Sequence, residues 1–410
     1  MAGGDALGEN LARLRKAHDI SQAELATAAG LSLSTVAKIE QGHRVHCRPD
    51  TLQKLADTLG TTADRLLGNV LVPTARDLDV AALRRAITAS EHVPGLVDDF
   101  ADDREVLTLG ELTRTTHRAW RAYVDGRHHD TMLALPVLLV DARRLVRNSS
   151  GRENASAHRI LSTAYRLGAG MAGRIGYEDL AWSSAERALD AARQCDAPEV
   201  ERAISLRYLA WALVRQGRTA EAERVAVQAA EQIQPAMLDR DSDRAGVFGN
   251  LLFNAASAAL FARPQRVDRA EDLLSEARAA AVRARADSAT EAGIFGPRVA
   301  ALQLVDCAAR AGDPERALRL AAAVPRARGK VPAFWEAGHQ LRLASAATAL
   351  RQYRSALRHL ATARELAPDW VKYQPLGKAT MHRLVDRAPR RQGETFARLA
   401  THYGVIDMAS

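Results

Sequence analysis

Residues 21–42 read SQAELATAAGLSLSTVAKIEQG, and the structure of the N-terminal region can be predicted from this stretch. Ser21 followed three residues later by Glu24 forms a capping box, in which each side chain satisfies a free backbone N–H at the start of a helix. Ala29-Gly30 then supplies a tight left-handed turn that ends this helix. A second helix follows from Ser32 or Ser34. The stretch therefore predicts two short helices joined by a tight turn.

The flanking sequence extends this pattern to five short helices between residues 7 and 67. Leucines at helical spacing precede the quoted stretch, and a Pro-Asp pair followed by further leucines comes after it. A last helix opens at Thr61 or Thr62. The residues expected to face the core are Leu7, Leu11, Leu14, Val36, Ile39, Leu52, Leu55, Leu59, Leu66 and Leu67.

The composition favours helices. It is compatible with a DNA partner only if individual charges are suitably placed, because the net charge of the N-terminal segment is zero. The 410 residues are rich in Ala and Leu, both strong helix formers. The formal net charge is +8, yet residues 1–70 carry equal numbers of basic and acidic side chains. Any affinity of this segment for DNA must come from where its charges lie, because they cancel in sum.

Three widely separated cysteines, no signal-peptide pattern and no long apolar run predict a cytoplasmic protein. Cys47, Cys195 and Cys307 do not form the pattern of a disulfide framework. The sequence MAGGDALGEN lacks the basic and apolar regions of a signal peptide. No apolar run approaches the ~20 residues of a membrane span. We therefore expect no membrane association.

The quoted stretch resembles the helix-turn-helix of lambdoid phage repressors and Cro, the Xre family. The following PDTLQKLADTLGTTADRLL resembles the fourth and fifth helices of that family, so the likeness covers roughly residues 7–68. The resemblance implies a transcriptional regulator that binds double-stranded DNA. It places a repressor-type DNA-binding domain at residues 1–69.

The resemblance also implies roles for individual side chains. Gln22 would contact a phosphate from a helix N-terminus, where the dipole and free N–H groups favour an anion. The second helix of the motif would enter the major groove and read base edges with Leu33, Ser34 and Lys38. The remaining expected phosphate contacts are Ser32, Thr35, Arg44, His46 and Arg48. The family often has Gln at two base-reading positions, and this sequence does not, so the operator cannot be inferred.

A structural ion pair is a further implication of the resemblance. The family commonly joins its first helix to the end of its third by a buried ion pair, and Arg15 and Glu40 match those positions.

The rest of the chain resembles a tetratricopeptide-like α-solenoid, which makes the predicted fold all-α. Residues 70–104 read as a linker and connecting helix, and residues 105–410 as helical repeats. Alanines that align in the second helix of each repeat recur 39 to 48 residues apart, against 34 in the consensus. Small residues let helices approach closely, and each hairpin must stack on its neighbours. These alanines are Ala181, Ala222, Ala270, Ala317 and Ala356.

The first helices of the repeats are expected to line an effector groove and to support dimerisation. Aromatic rings with several Arg side chains would suit a peptide or an acidic small molecule. Simple packing or solvation is the alternative for every one of them. The candidates are Trp120, Tyr123, Arg166, Arg207, Trp211, Arg215, Asp306 and Arg310.

The sequence contains no convincing cofactor, metal or catalytic motif. Residues 168–173 match the dinucleotide fingerprint G-x-G-x-x-G, but a helical pattern precedes them where the fingerprint needs a strand. Close helix packing explains these glycines better. His43, His46 and Cys47 lack the second pair of a zinc site. We therefore expect no cofactor, no metal and no enzyme.

The combination resembles Gram-positive quorum-sensing regulators that bind signalling peptides, and many actinobacterial regulators. The resemblance implies a homodimer on a pseudo-palindromic DNA site, regulated by an effector. The alternative hypothesis is a helical-repeat scaffold that recruits a protein partner, with DNA binding secondary.

Overall fold

The computed structural model is almost entirely α-helical, which confirms the predicted all-α class. It describes residues 4–43, 47–61, 63–67, 78–90, 106–235, 241–284, 286–387 and 394–405. The helices are α1 (Gly4–Ala17), α2 (Gln22–Ala28), α3 (Leu33–Glu40), α4 (Pro49–Thr58), α5 (Ala63–Leu66), α6 (Val80–Thr88), α7 (Leu109–Val124), α8 (His128–Asn148), α9 (Gly151–Arg174), α10 (Glu178–Ala192), α11 (Pro198–Arg215), α12 (Thr219–Ile233), α13 (Ser242–Phe261), α14 (Val267–Ala284), α15 (Pro297–Arg310), α16 (Pro314–Ala322), α17 (Ala333–Ala349), α18 (Tyr353–Leu366), α19 (Pro368–Lys372), α20 (Pro375–Arg387) and α21 (Glu394–His402). Between α14 and α15 lie two short strands, β1 (Ser288–Ala289) and β2 (Ile294–Phe295).

The chain forms two compact units. The first joins residues 1–73 to residues 340–410, and the second comprises residues 74–339. This division differs from the boundaries expected from the sequence, which grouped all of residues 105–410 as repeats. The difference arises because α1 packs against α20 and α21, so that the last helices share a unit with the first five. Nε of Arg13 on α1 also lies 3.4 Å from Asp386 on α20.

Helices α1 to α5 form the head, and the leucines expected in its core are buried except Leu67, which is half-buried. Leu7, Leu11 and Leu14 of α1 are buried, as are the apolar side chains expected from α3 and α4. Gly8 lets α1 approach α3 closely, since a Cβ at this position would overlap the carbonyl oxygen of Ile39. The leucine spacing predicted this core, but the spacing alone did not reveal the role of Gly8.

The second unit consists of antiparallel helix pairs whose first helices contact one another in succession. Helix α7 contacts α9, α9 contacts α11, and α11 contacts α13. The aligned alanines Ala181, Ala222, Ala270 and Ala317 of the second helices are fully buried, and so is Ala356 in the first unit. The 18-residue helices α11 and α14 and the 20-residue α13 lie between these alanines and account for spacings above the tetratricopeptide consensus.

The connecting helix α6 is held against this unit by two arginines. Its buried Leu83 and Ile87 face α8 and α10. Nη1 of Arg143 donates to the carbonyl oxygen of Ala86 at 2.8 Å, and Nη1 of Arg187 donates to that of Ala89 at 3.1 Å. Both bonds satisfy carbonyls that a helix end leaves unpaired.

The β1–β2 hairpin is an insertion that the helical periodicity did not predict. The ring of Phe295 packs directly over Gly249 of α13, where any side chain would overlap it. The buried carboxylate of Asp287 accepts the backbone N–H groups of Arg298, at 2.9 Å, and of Val299, at 3.3 Å. Asp287 therefore fixes the hairpin to the first turn of α15.

No helix in the described ranges is both long and apolar enough to cross a membrane.

Candidate nucleic-acid interface and effector site

Helices α2 and α3 form the predicted helix-turn-helix. Oγ of Ser21 accepts the backbone N–H of Glu24 at 3.1 Å, and Glu24 accepts that of Ser21 at 2.7 Å. The capping box read from the sequence is therefore present. Gly30 in the turn has a φ of +63°, a conformation that favours glycine. Together these features fix the angle at which α3 leaves α2.

Helix α3 presents its N-terminal side chains to solvent. Ser32 caps the helix by accepting the backbone N–H of Thr35 at 3.1 Å, and the two hydroxyls lie 2.9 Å apart. Leu33 is 50% exposed, which is unusual for a large apolar side chain in a small domain. Ser34 and Lys38 are exposed as well. The expected base-reading side chains thus share one free surface.

The C-terminal end of α3 is anchored by a bidentate ion pair. Nε and Nη2 of Arg15 lie 2.6 and 2.9 Å from the two carboxylate oxygens of Glu40. Nη1 of Arg15 also donates to the carbonyl oxygen of Ile20 at 2.9 Å. The pair is nearly buried and ties α1 to the end of α3.

Gln22 joins this ion pair, a contact that sequence reasoning missed. Its Nε2 donates to Glu40 at 2.8 Å, so one amide N–H points inward rather than toward DNA. Its side chain is half-buried at the first position of α2. A phosphate contact by Gln22 would use its second amide N–H or its backbone.

The N-terminus of α4 offers a further cationic position. Arg48 is the exposed N-cap residue of α4, before Pro49. Arg44 and His46, also expected to contact phosphate, lie outside the described residues. Lys54 of α4 is paired with Asp50 at 2.9 Å. Lys38 and Arg48, by contrast, make no ion pair with any described carboxylate.

In the second unit, three of the expected groove residues are paired internally. Arg166 is buried and lies 2.7 Å from Glu201. Arg310 lies 2.7 Å from Asp306, one turn away on α15. The charge of each arginine is therefore compensated within the unit.

Tyr123 belongs to a different, cationic and aromatic cluster. The guanidinium of Arg174 lies 3.7 Å from the centre of the Tyr123 ring and 4.4 Å from that of Phe334. Its Nη1 donates to the carbonyl oxygen of Tyr123 at 2.8 Å. Burial raises the pKa of Tyr123 to about 12, outweighing the neighbouring guanidiniums that favour its ionised form. No motif or spacing rule indicated Arg174 or Phe334 as members of this cluster.

Helix α11 adds two more arginines near Tyr123. The guanidinium of Arg207 lies 4.5 Å from the centre of the Tyr208 ring, and that of Arg215 lies 5.1 Å from Trp211. Nη1 of Arg207 is 3.5 Å from Oδ1 of Asn250. Arg207 and Arg215 both act electrostatically on the Tyr123 hydroxyl. The remaining candidate, Trp120, is buried on α7.

Glycines of α9 make this close packing possible. A Cβ at Gly170 would overlap the hydroxyl of Tyr123, and one at Gly173 would overlap the Trp211 ring. Gly168 lies against Ser184 and Ile87 in the same way. The G-x-G-x-x-G match thus lies inside a helix, where its glycines admit large side chains.

Comparison with known proteins identifies the head. Residues 11–66 match the helix-turn-helix family model, which establishes a DNA-binding domain of this class there. A search of curated proteins found no significant match. Among solved structures, the chain is similar to the crystal structure of Bacillus thuringiensis PlcR in complex with the peptide PapR7 and DNA. The likeness has a TM-score of 0.35 and 12% sequence identity, covering 78% of this chain and 95% of PlcR.

Proposed function

We propose that this chain is a sequence-specific transcriptional regulator that binds DNA through α3 and senses an effector through its helical repeats. The observation that carries this proposal is the exposed set of Leu33, Ser34 and Lys38 on a helix whose C-terminal end is fixed by the Arg15–Glu40 pair. A recognition helix needs this combination of a rigid base and free N-terminal side chains.

The exposed side chains suit direct readout of base edges. The Lys38 ammonium reaches guanine O6 and N7, the Ser34 hydroxyl bonds either base type, and Leu33 meets a thymine methyl group. Arg48, with Arg44 and His46 beside it in sequence, holds phosphate. Ser32, Thr35 and Gln22 position the motif on the backbone.

The regulator acts as a cytoplasmic homodimer held by its helical repeats, with no catalytic step. Two copies of α3 then lie about one DNA turn, or roughly 34 Å, apart on a pseudo-palindrome. The effector is a peptide or small molecule that binds beside Tyr123 and Trp211. A differential affinity of about 1–3 kcal/mol between two conformations of the repeats would change DNA occupancy roughly 5- to 150-fold.

Selection of bound sequences from a random DNA library tests this function. The proposal predicts enrichment of a short inverted repeat, bound by two chains per site and with an affinity that falls as salt rises. Failure to enrich any sequence, with weak binding of all DNA alike, would contradict it. That outcome would favour the scaffold hypothesis.

A further inference from the structure

Two guanidiniums of the second unit lie among aromatic rings without a compensating charge. Arg174 is buried, and its hydrogen-bond partner is the neutral carbonyl oxygen of Tyr123. Nε of the half-buried Arg207 is itself buried and has no hydrogen-bond partner in the described parts of the unit. Neither arginine forms an ion pair with a described carboxylate. Removing a charge from water is unfavourable unless a partner compensates it, so an anionic ligand would stabilise these two guanidiniums.

The surroundings strengthen the positive potential. Arg215 lies nearby on α11, and its 3.5 Å contact with Glu178 neutralises it only in part. The groups that act electrostatically on Tyr123 are Arg174, Arg207, Arg215 and the neutral Tyr208, with no carboxylate among them. Elsewhere in the unit, Arg166 and Arg310 each have an acidic partner within 2.7 Å. Arg174 and Arg207 differ from those two arginines, because no described carboxylate forms an ion pair with either of them.

We propose that Arg174 and Arg207 bind the oxyanion of the effector, a carboxylate or phosphate group, while the rings of Tyr123 and Tyr208 contact its apolar part. The planar guanidinium presents two parallel N–H donors that match both oxyanions. This inference rests on the proposed function, since it specifies the chemistry of the effector at that same site.

Phe334 connects such a ligand to the rest of the chain. Its ring now covers one face of the Arg174 guanidinium. A ligand ring that stacks on this face must displace Phe334, which is the second residue of α17. Residues of α17 from Gln340 onward belong to the compact unit that contains the head. Displacement at Phe334 thus acts on a helix whose chain leads into the DNA-binding unit.

Calorimetric titration of the full-length protein with small probes tests the proposal. The probes are benzoate, phenyl phosphate and neutral benzamide, at constant ionic strength. We expect one or both anions to bind with a Kd of about 1 mM or tighter, and benzamide to bind at least roughly tenfold more weakly. A preference for benzoate or for phenyl phosphate identifies which oxyanion the effector carries.

Matched arginine variants locate the site. Arg207→Gln should weaken benzoate binding at least about tenfold, which corresponds to ~1.4 kcal/mol. Arg218 is the control, because it also stacks on an aromatic ring, 4.8 Å from the centre of Trp182, but is exposed and paired with Glu221. Arg218→Gln should bind benzoate like the wild type.

Phe334→Ala tests the part played by Arg174 even where the direct substitution, Arg174→Gln, prevents folding. Removing the ring frees one face of Arg174 and leaves both guanidiniums in place, so benzoate should bind more tightly than to the wild type. Equal binding of benzamide and benzoate, no binding of either anion, or full binding by Arg207→Gln would overturn the proposal.

These titrations contain no DNA, so their outcome does not depend on the proposed DNA binding. Intact benzoate binding in a protein that selects no DNA sequence would contradict the proposed regulator but not the oxyanion site.

Discussion

Both carboxylate oxygens of Glu40, at the end of the recognition helix, receive N–H groups from Arg15 on the first helix, at 2.6 and 2.9 Å. The contact is a bidentate ion pair at the C-terminal end of α3, the helix proposed to meet DNA. It couples the orientation of α3 to α1, which itself packs on the C-terminal helices of the same compact unit. The stability of this ion pair should therefore affect the proposed recognition of DNA by α3.

Glu40→Ala should destabilise the head by about 3–5 kcal/mol, because it leaves the guanidinium of Arg15 nearly buried and without its partner. Hydrogen exchange of α1–α3 amides in the full-length protein measures the change. The double variant Arg15→Met/Glu40→Leu removes both charges and should restore most of the protection. Equal losses in the single and double variants would show that the lost contacts matter through packing rather than charge.

Protonation of His18 should destabilise the head as the pH falls. Burial lowers the pKa of His18 below its ordinary value of 6.5, outweighing the hydrogen bond to the carbonyl oxygen of Leu59, 3.1 Å from Nε2. The unfolded chain then binds a proton more readily than the folded one. The stabilising contribution of neutral His18 is complete above pH 6.5 and decreases as the pH falls through 6.5 toward the lower folded-state value.

Protection factors for α1 and α4, corrected for the intrinsic exchange rate, measure this effect between about pH 7.5 and pH 5.5. His18→Gln, which retains a donor for Leu59 but does not titrate, should reduce the decrease. The same decrease in both proteins would assign it to other groups.

Arg351 occupies a turn position where four other helix pairs carry glycine. Its φ is +59°, close to the values at Gly126, Gly176, Gly217 and Gly312 in the corresponding turns. Arg351→Gly should stabilise the α17–α18 pair by about 0.5–1 kcal/mol, since glycine adopts this conformation without steric cost.

Arg354→Gly is the control for this prediction, because Arg354 is exposed within α18. There the same substitution should destabilise by about 1 kcal/mol. Hydrogen exchange of the backbone amides of α17 and α18 measures the stability of this helix pair in both variants. Destabilisation by Arg351→Gly would show that the arginine side chain contributes more than the strain of its backbone.

Gly173→Ala should destabilise the second unit by about 1–3 kcal/mol, because its Cβ would force the Trp211 ring to move. Gly110→Ala is the matched change near the start of α7, where the nearest atom is the Nη1 of Arg114, 3.9 Å away. It should instead stabilise by about 0.5–1 kcal/mol. Urea denaturation of the two variants compares them, and equal stability would contradict the packing role of the helical glycines.

Local sequence signals predicted the head and the helical repeats well. The Ser21–Glu24 capping box, the leucines of α1 and the buried Ala222 and Ala270 all depend on spacing within a single helix or hairpin. Such contacts involve neighbours in sequence, so periodicity alone reveals them.

Contacts between distant segments were not predictable in the same way. The stacking of Arg174 between Tyr123 and Phe334 joins three helices, and no spacing rule connects them. Gln22 was expected to contact phosphate only, yet Glu40 accepts one of its N–H groups. The division of the chain into units depends on the packing of α20 against α1, whereas the repeat pattern continues through Ala356 without interruption.

Base reading by Lys38 of α3 is tested by competition binding. Wild type, Lys38→Ala and the control Lys54→Ala would be titrated with the selected site and with a scrambled duplex over a range of salt concentrations. Lys38→Ala should lose about 1–3 kcal/mol of discrimination between the two duplexes, because it removes a donor to base edges. Lys54→Ala should keep it, because Lys54 is already paired with Asp50. Unchanged discrimination in Lys38→Ala would contradict base reading by Lys38.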